Sequence, residues 1–139
     1  MTFKNIANIA GSAMAAQTVR MNTVASNLSN TDAASNSEAT AYHARKPVFA
    51  TLPGETFAVN DPSGRVQVLD VVQSTESVRK VHEPDHPMAD TEGMVYYSNV
   101  NAVAEMTDMM SATRAFETNV EVLVRVRSMQ QALLKLGEG

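Results

Sequence analysis

The chain has 139 residues, enough for one domain, with 44% hydrophobic residues, few aromatics, no Trp and no Cys. Without Cys, neither disulfides nor thiolate chemistry can contribute, and a net charge of −4 argues against nucleic acid as a partner. No apolar run approaches the ~20 residues of a membrane span, which argues against direct membrane insertion.

The first predicted element is a helix from about Phe3 to Asn30. Its apolar positions, Phe3, Ala7, Ala10, Met14, Gln17, Met21, Val24 and Leu28, step by four and three, the spacing of a coiled-coil seam weakened by Ala and Gln17. Only Lys4 and Arg20 are charged in this stretch, and there is no acid. A water-facing helix shows a charged face opposite its apolar stripe; here Asn, Ser, Thr, Gln and Ala stand in its place. The helix is therefore read as one surrounded by other helices. Gly11 and the many small polar residues lower its propensity, so alone in water it is marginal. Lys4 and Ala13-Met14-Ala15 superficially imitate a secretory signal. Asn8, Gly11 and Ser12 interrupt the apolar core such a signal needs, and the helical pattern continues beyond it. Asn30 is expected to end the helix as a left-handed residue.

Residues 31–100 hold ten acids against five bases and are read as a central loop with a small β-element that meets water. Residues 33–41, rich in Ala, Ser, Asn and Thr, read as a flexible connection. Tyr42 to Thr51 reads as extended, with Pro53-Gly54 turning the chain. Phe57 to Asn60 and Arg65 to Ser74 flank the turn chemistry of Asp61-Pro62-Ser63-Gly64. The alternation from Val66 to Val71 suggests a strand partly covered on both faces. Ser77 to Glu83 and Met94 to Tyr97 are weaker strand candidates.

The second helix runs from about Asn101 to Leu136. Asn101 is its expected N-cap, Glu105 and Asp108 lie near its positive end, and Arg125, Arg127 and Lys135 near its negative end. Its apolar stripe, including Met106, Met109, Ala112, Phe116, Val120, Leu123, Val126 and Leu133, drifts around the axis. Gly137 stops it. The expected fold is mainly α with a small β insertion. The terminal helices pack antiparallel as a coiled-coil-like pair, and the middle projects from them.

One segment imitates catalytic chemistry. His82-Glu83-Pro84-Asp85-His86 matches the H-E-x-x-H zinc-protease pattern, which works only where a helix puts both imidazoles on one face. Pro84 and Pro87 oppose a helix there, and the reading is a kinked surface loop. Asp85, Asp90 and Glu92 lack a nearby apolar pocket that would separate their pKa values, and they read as a solvated acidic loop. No phosphate-binding Gly-rich loop or nucleophile elbow is present, and no cofactor is implied. A metal-dependent hydrolase using His82, Glu83 and His86 is the alternative from another class, and bound zinc would reveal it. A free-standing coiled-coil adaptor is a third, recognisable as a stable helical dimer.

Two segments carry a family resemblance. Val24-Ala25-Ser26-Asn27-Leu28-Ser29-Asn30-Thr31 resembles the N-terminal signature of the bacterial flagellar axial proteins. Glu105-Met106-Thr107 and Ala112-Thr113-Arg114-Ala115-Phe116-Glu117-Thr118-Asn119-Val120-Glu121-Val122-Leu123 are similar to their C-terminal signature. Glu83 to Asp90, Gly93, Asn99-Val100 and the closing Leu134-Lys135-Leu136-Gly137 are similar to the proximal rod subunits of that family. Ala41 stands where a Gly is usual, and Met94 where an aromatic is common.

The resemblance implies a structural, non-enzymatic subunit of the flagellar basal-body rod, a proximal one, with another rod subunit of the same family as the alternative. Such a subunit is exported by the flagellar type III apparatus without a cleaved signal and assembled in the periplasm. Its partners are other rod subunits and copies of itself. Residues 1–30 and 101–139 would form the rod core domain around the central element. The interface residues expected are Met14, Met21, Val24, Asn27, Leu28, Met106, Met109, Arg114, Phe116, Asn119, Val120 and Leu123.

Overall fold

Two helices carry the structure, and the sequence explains both starts. A computed structural model describes residues 2–53 and 64–137 of the chain. Helix α1 spans Phe3–Ser29 and begins at Thr2, whose hydroxyl accepts from the Asn5 amide at 3.3 Å. Helix α2 spans Ala102–Gly137 and begins at the expected N-cap, where Asn101 Oδ1 accepts from the Val103 and Ala104 amides. At ~1.5 Å per residue they are roughly 40 and 54 Å long.

The end of α1 differs from expectation. Asn30 has φ −109° and ψ 14°, not the left-handed conformation. Its amide and side chain both donate to the Ser26 carbonyl, and Thr31 Oγ1 donates to Asn27 O. Side-chain donors thus satisfy the terminal carbonyls that a left-handed cap serves elsewhere.

Between the helices lie two antiparallel sheets. Strands β2 (Arg45–Leu52) and β3 (Arg65–Gln73) form a ribbon whose register slips between Val48 and Phe49. Strands β4 (Arg79–His82) and β5 (Met94–Tyr97) pair in the second sheet, and β1 (Ala34–Ser35) adds to the other edge of β5. The strands expected near 42–51, 65–74, 77–83 and 94–97 are therefore present. The expected strand at Phe57 to Asn60, Gly54 of the Pro53-Gly54 turn and Asp61-Pro62-Ser63 lie outside the described residues.

Three expectations are corrected. Residues 33–41 are not merely a connection, because Ala34 and Ser35 pair with Tyr97 and Tyr96 and the Ala41 amide closes a turn on Ser37 O. Composition misleads there because backbone groups, not side chains, make the pairing. The ribbon does not project freely. It lies along α1, and the Val66 amide donates to Ser12 Oγ at 3.1 Å. Finally, β3 is covered on one face only, and there in part: Val66 and Val68 are half-buried, and Leu69, Val71 and Val72 are all exposed.

The helices pack against each other antiparallel. Asn27 faces Glu105, Arg20 faces Asp108 and Met21 faces Thr113. Continued at equal rise, that register brings the start of α1 roughly opposite Val126, the last buried residue of α2. Residues 127–137 overhang and are exposed throughout. All eight positions of the α1 seam are buried or half-buried. Among the described residues, no helix is long and apolar enough to cross a membrane.

Among the described residues, Gly93 alone has a positive φ, at 76°. A Cβ there would meet His82 Cε1 at 3.0 Å and Pro84 Cβ at 3.1 Å. Gly93→Ala should therefore lower stability by about 1–2 kcal/mol, from left-handed strain and crowding together. Urea denaturation checks this; an unchanged midpoint would mean the β4–β5 connection does not need its glycine. Ala41 shows the reverse. It is buried without a positive φ, so its turn accepts Ala without strain.

Candidate functional site

The signature residues fall into two groups, one turned inward and one outward. The inward group centres on Asn27, which is fully buried. Its Oδ1 accepts from the Arg45 amide at 2.9 Å, while its Nδ2 donates to the Arg45 carbonyl at 2.8 Å. A side chain thus pairs with β2 as a neighbouring strand would. The same Nδ2 donates to Glu105 Oε2 at 3.0 Å, and the Tyr42 hydroxyl donates to Oδ1 at 3.0 Å. Nearby, Asn99 Oδ1 accepts from the Ala44 amide at 2.6 Å and Asn99 Nδ2 donates to Glu76 O at 2.8 Å. Ser98 Oγ reaches Thr31 O at 2.6 Å. These bonds tie together the points where the chain leaves α1, starts β2 and enters α2.

A second clasp lies one to two turns up the helices. Arg20 makes a two-pronged contact with Asp108, with Nε to Oδ2 at 3.1 Å. Hydrogen bonding to Asp108 raises the Arg20 pKa, keeping the guanidinium charged. Arg20, Val24, Arg45, Lys46, Phe49, Glu105 and Asp108 line a surface cavity of about 520 Å³ between the helices and β2. Its lining mixes apolar side chains with charges of both signs.

Of the expected interface residues, Val24 and Asn27 are buried within the chain. Met14, Met21, Leu28, Met109, Phe116, Asn119 and Leu123 are half-buried, and Met106, Arg114 and Val120 are exposed. The outward group is larger than sequence reasoning placed it. On α2, Val103, Met106, Met110, Val120 and Val124 are exposed on one side of the helix, and Met129, Leu133, Leu134 and Leu136 are exposed around the overhang. Met106 is 57% exposed and Leu136 78%. The roles of Arg20, Tyr42 and Glu105 were also missed. The signal for Arg20 was present: a lone Arg in a helix without acids needs a partner from another element.

Several hydroxyls on the helices are satisfied within their own helix. On α1, the Thr18 and Ser29 hydroxyls donate to the carbonyls of Met14 and Ala25 at 3.0 and 2.8 Å. On α2, Thr107 and Thr118 do the same to Val103 and Arg114 at 3.0 and 2.9 Å. Asn119 Nδ2 donates to Ala115 O at 2.7 Å. Such back-bonding costs little in water and leaves no orphaned donor when the surface is covered.

The H-E-x-x-H segment is not helical. His82 ends β4, Pro84 to Met88 form consecutive turns, and His86 is a turn acceptor, taking the Met88 amide on Nδ1 at 3.0 Å. Glu83 accepts from the Tyr97 hydroxyl at 2.8 Å. Among the described residues, no group of three or more His, Asp or Glu is placed to hold a metal ion. Asp90 organises the next turn, accepting from the Met94 and Glu92 amides at 2.9 and 2.8 Å and from the Tyr96 hydroxyl at 3.2 Å.

The Met94 amide, first, and then the Glu92 amide and Tyr96 hydroxyl hold the Asp90 carboxyl below the usual aspartate range. A lowered folded-state pKa stabilises the fold above the unfolded-state pKa, and that contribution is lost as pH falls through the folded value. Carboxyl NMR titration should give Asp90 a midpoint below that of an unstructured aspartate. Asp90→Asn should remove this part of the acid sensitivity. A midpoint at or above the ordinary value would contradict the turn as described.

A nearly uncharged α1 and exposed apolar side chains along α2 would suit a protein that packs against others. In agreement, residues 91–136, covering β5 and most of α2, match the family model described as flagellar basal body rod FlgEFG protein C-terminal. The flagellar basal-body rod protein FlgC of Salmonella typhimurium is 41% identical over 140 residues, covering 99% of this chain and 100% of that protein. The Yersinia enterocolitica protein of the same name is 36% identical with the same coverage, and that of Buchnera aphidicola subsp. Baizongia pistaciae is 32% identical over 143 residues. The class is thus the flagellar basal-body rod proteins. With such identities over its length, the chain belongs to the FlgC family within it.

Proposed function

We propose that this structural subunit of the flagellar basal-body rod assembles through its two terminal helices into the tubular axial shaft, beside other rod subunits and copies of itself. The outward faces of α1 and α2 carry the reading. That of α2 carries exposed large apolar side chains, and both carry hydroxyls already bonded to their own helix. Each large apolar side chain removed from water contributes roughly 1.5–3 kcal/mol, enough that several together offset the ordering of a subunit. In this reading residues 1–30 and 101–139 form the rod core domain, and residues 31–100 the central element beside it. The α1 seam then continues between subunits as coiled-coil-like packing, with Met14, Met21, Leu28, Met109, Phe116, Asn119 and Leu123 shared between the intrachain and intersubunit contacts. Arg114 and Val120 lie wholly on the intersubunit side.

The subunit works without catalysis or cofactor. It reaches the periplasm through the flagellar type III export apparatus, without cleavage of a signal, and takes its place in the basal body there.

Substitutions on the outward faces separate folding from assembly. Met106→Asp and Val124→Asp change residues exposed in the single chain. Their stability should stay within about 0.5 kcal/mol of the parent. In the assembled rod, the same carboxylates would be buried unpaired at a cost of several kcal/mol in order of magnitude, so rod assembly and motility should be lost. Ala15→Glu and Ala25→Glu test the outward face of α1 in the same way. Ala16→Glu does not, because Ala16 is 2% exposed and the change breaks the fold itself. Normal swimming by all four outward variants, with export verified, would sink the proposal.

His86→Ala separates structure from metal chemistry. It removes one turn hydrogen bond, worth about 1 kcal/mol, and should leave motility intact. Loss of motility at normal protein levels would bring the hydrolase alternative back.

A further inference from the structure

Polar links between α1 and α2 are distributed unevenly. Among the described residues, every side-chain hydrogen bond or ion pair joining the two helices comes from residues 20–27 of α1 and 105–113 of α2. Asn27 extends the same set to a third segment through both backbone groups of Arg45, and Tyr42 braces it at 3.0 Å. Toward the start of α1 the covered positions are small or flexible side chains, among them Ala10 and Met14. There the α2 side ends in an exposed overhang.

We propose that Asn27 is a latch that holds one end of the helix pair closed in the isolated subunit, so that the pair opens only from the other end. Three segments far apart in sequence, 22–29, 43–48 and 103–110, are closed together by this one amide. Its buried position makes the closure cooperative. Withdrawing Asn27 strands the Glu105 carboxylate, which is 9% exposed, and both backbone groups of Arg45 at once. Opening at the far end strands no interhelical polar group, because the hydroxyls there, such as Ser12 to Ile9 O, have partners within their own helix. Local opening follows the cheapest rupture, and that lies away from the latch. The consequence is a subunit whose helices stay in register while their distal ends remain free for capture by a neighbour. The inference concerns the isolated chain and does not rest on the assembly reading.

Amide hydrogen exchange on the full-length monomer tests it. Amides 22–29 should exchange at least about 100-fold more slowly than amides 5–17, as expected where opening at one end leaves the other closed. Asn27→Ala should abolish the protection of 22–29, 43–48 and 103–110 together, and leave the β4–β5 amides near 79–82 and 94–97 unchanged. Glu105→Gln, whose amide oxygen still accepts from Asn27, should keep most of it. Even protection along the whole of α1 would overturn the inference, as would a lack of protection at 22–29. Loss confined to α1 in Asn27→Ala would do the same. Should that variant fail to fold, Tyr42→Phe, which deletes one of the four bonds, must weaken the same three segments together; no effect there also overturns it.

Discussion

The structure depends on how one buried amide is satisfied. Asn27 sits in the last turn of α1 with no exposed surface, where an unpaired amide would cost several times what a typical hydrogen bond returns. Its partners come from β2, from Tyr42 and from the first turn of α2. Satisfying it therefore sets where the chain turns back after α1 and how α2 is seated. The β ribbon inherits its position from the same point, because Arg45 is both the first residue of β2 and the partner of Asn27. Asn99 and Ser98 repeat the device on a smaller scale, pinning the approach to α2 onto Ala44 and Thr31.

From that junction the helices diverge in character. Near it they are bound by directed polar bonds; further along they are bound by small and apolar contacts, and α2 outruns α1. The self-bonded hydroxyls explain how a nearly uncharged helix is compatible with both states of its surface. In water the carbonyl they bond is already served by the helix, so little is gained or lost. Against a neighbouring protein, no donor is left stranded. A charged face would be better in water and prohibitive when covered. Under the proposed assembly, the absence of acids from residues 1–30 is a constraint set by the covered state.

The central segment that imitates a metalloprotease motif has a local purpose. Pro84 and Pro87 fix consecutive turns, His86 accepts an amide within them, and Asp90 gathers two amides and a phenol to start β5. The residues that a helix would converge on a metal are used here singly, each to close a piece of backbone. Arg79 and Lys80 lie over the Tyr97 and Tyr96 rings on the same sheet, so its charges are spent on packing.

The sequence by itself determined the two helices and the Asn101 cap, while the class of protein was legible through a resemblance carried by signature segments at both ends. Periodicity, Asn101 ahead of a long apolar pattern and a missing charged face are local properties, and local geometry decides them. The strand segments were legible for the same reason. Several features were settled only in three dimensions. The pairing of Ala34–Ser35 with β5 depends on backbone groups that carry no side-chain signature. The laying of β2–β3 along α1, the covering of one face of β3 only, and the ordinary backbone at Asn30 and Ala41 follow from neighbours that propensity does not see. Asn27 and Glu105 could be read only as a signature residue and a helix-dipole acid, because their roles arise from a contact across 78 residues of chain. The division of signature residues into those used inside the subunit and those left outside it had the same origin. Both kinds share one helical period, and only the antiparallel register, with the overhang it leaves, decides which are already covered.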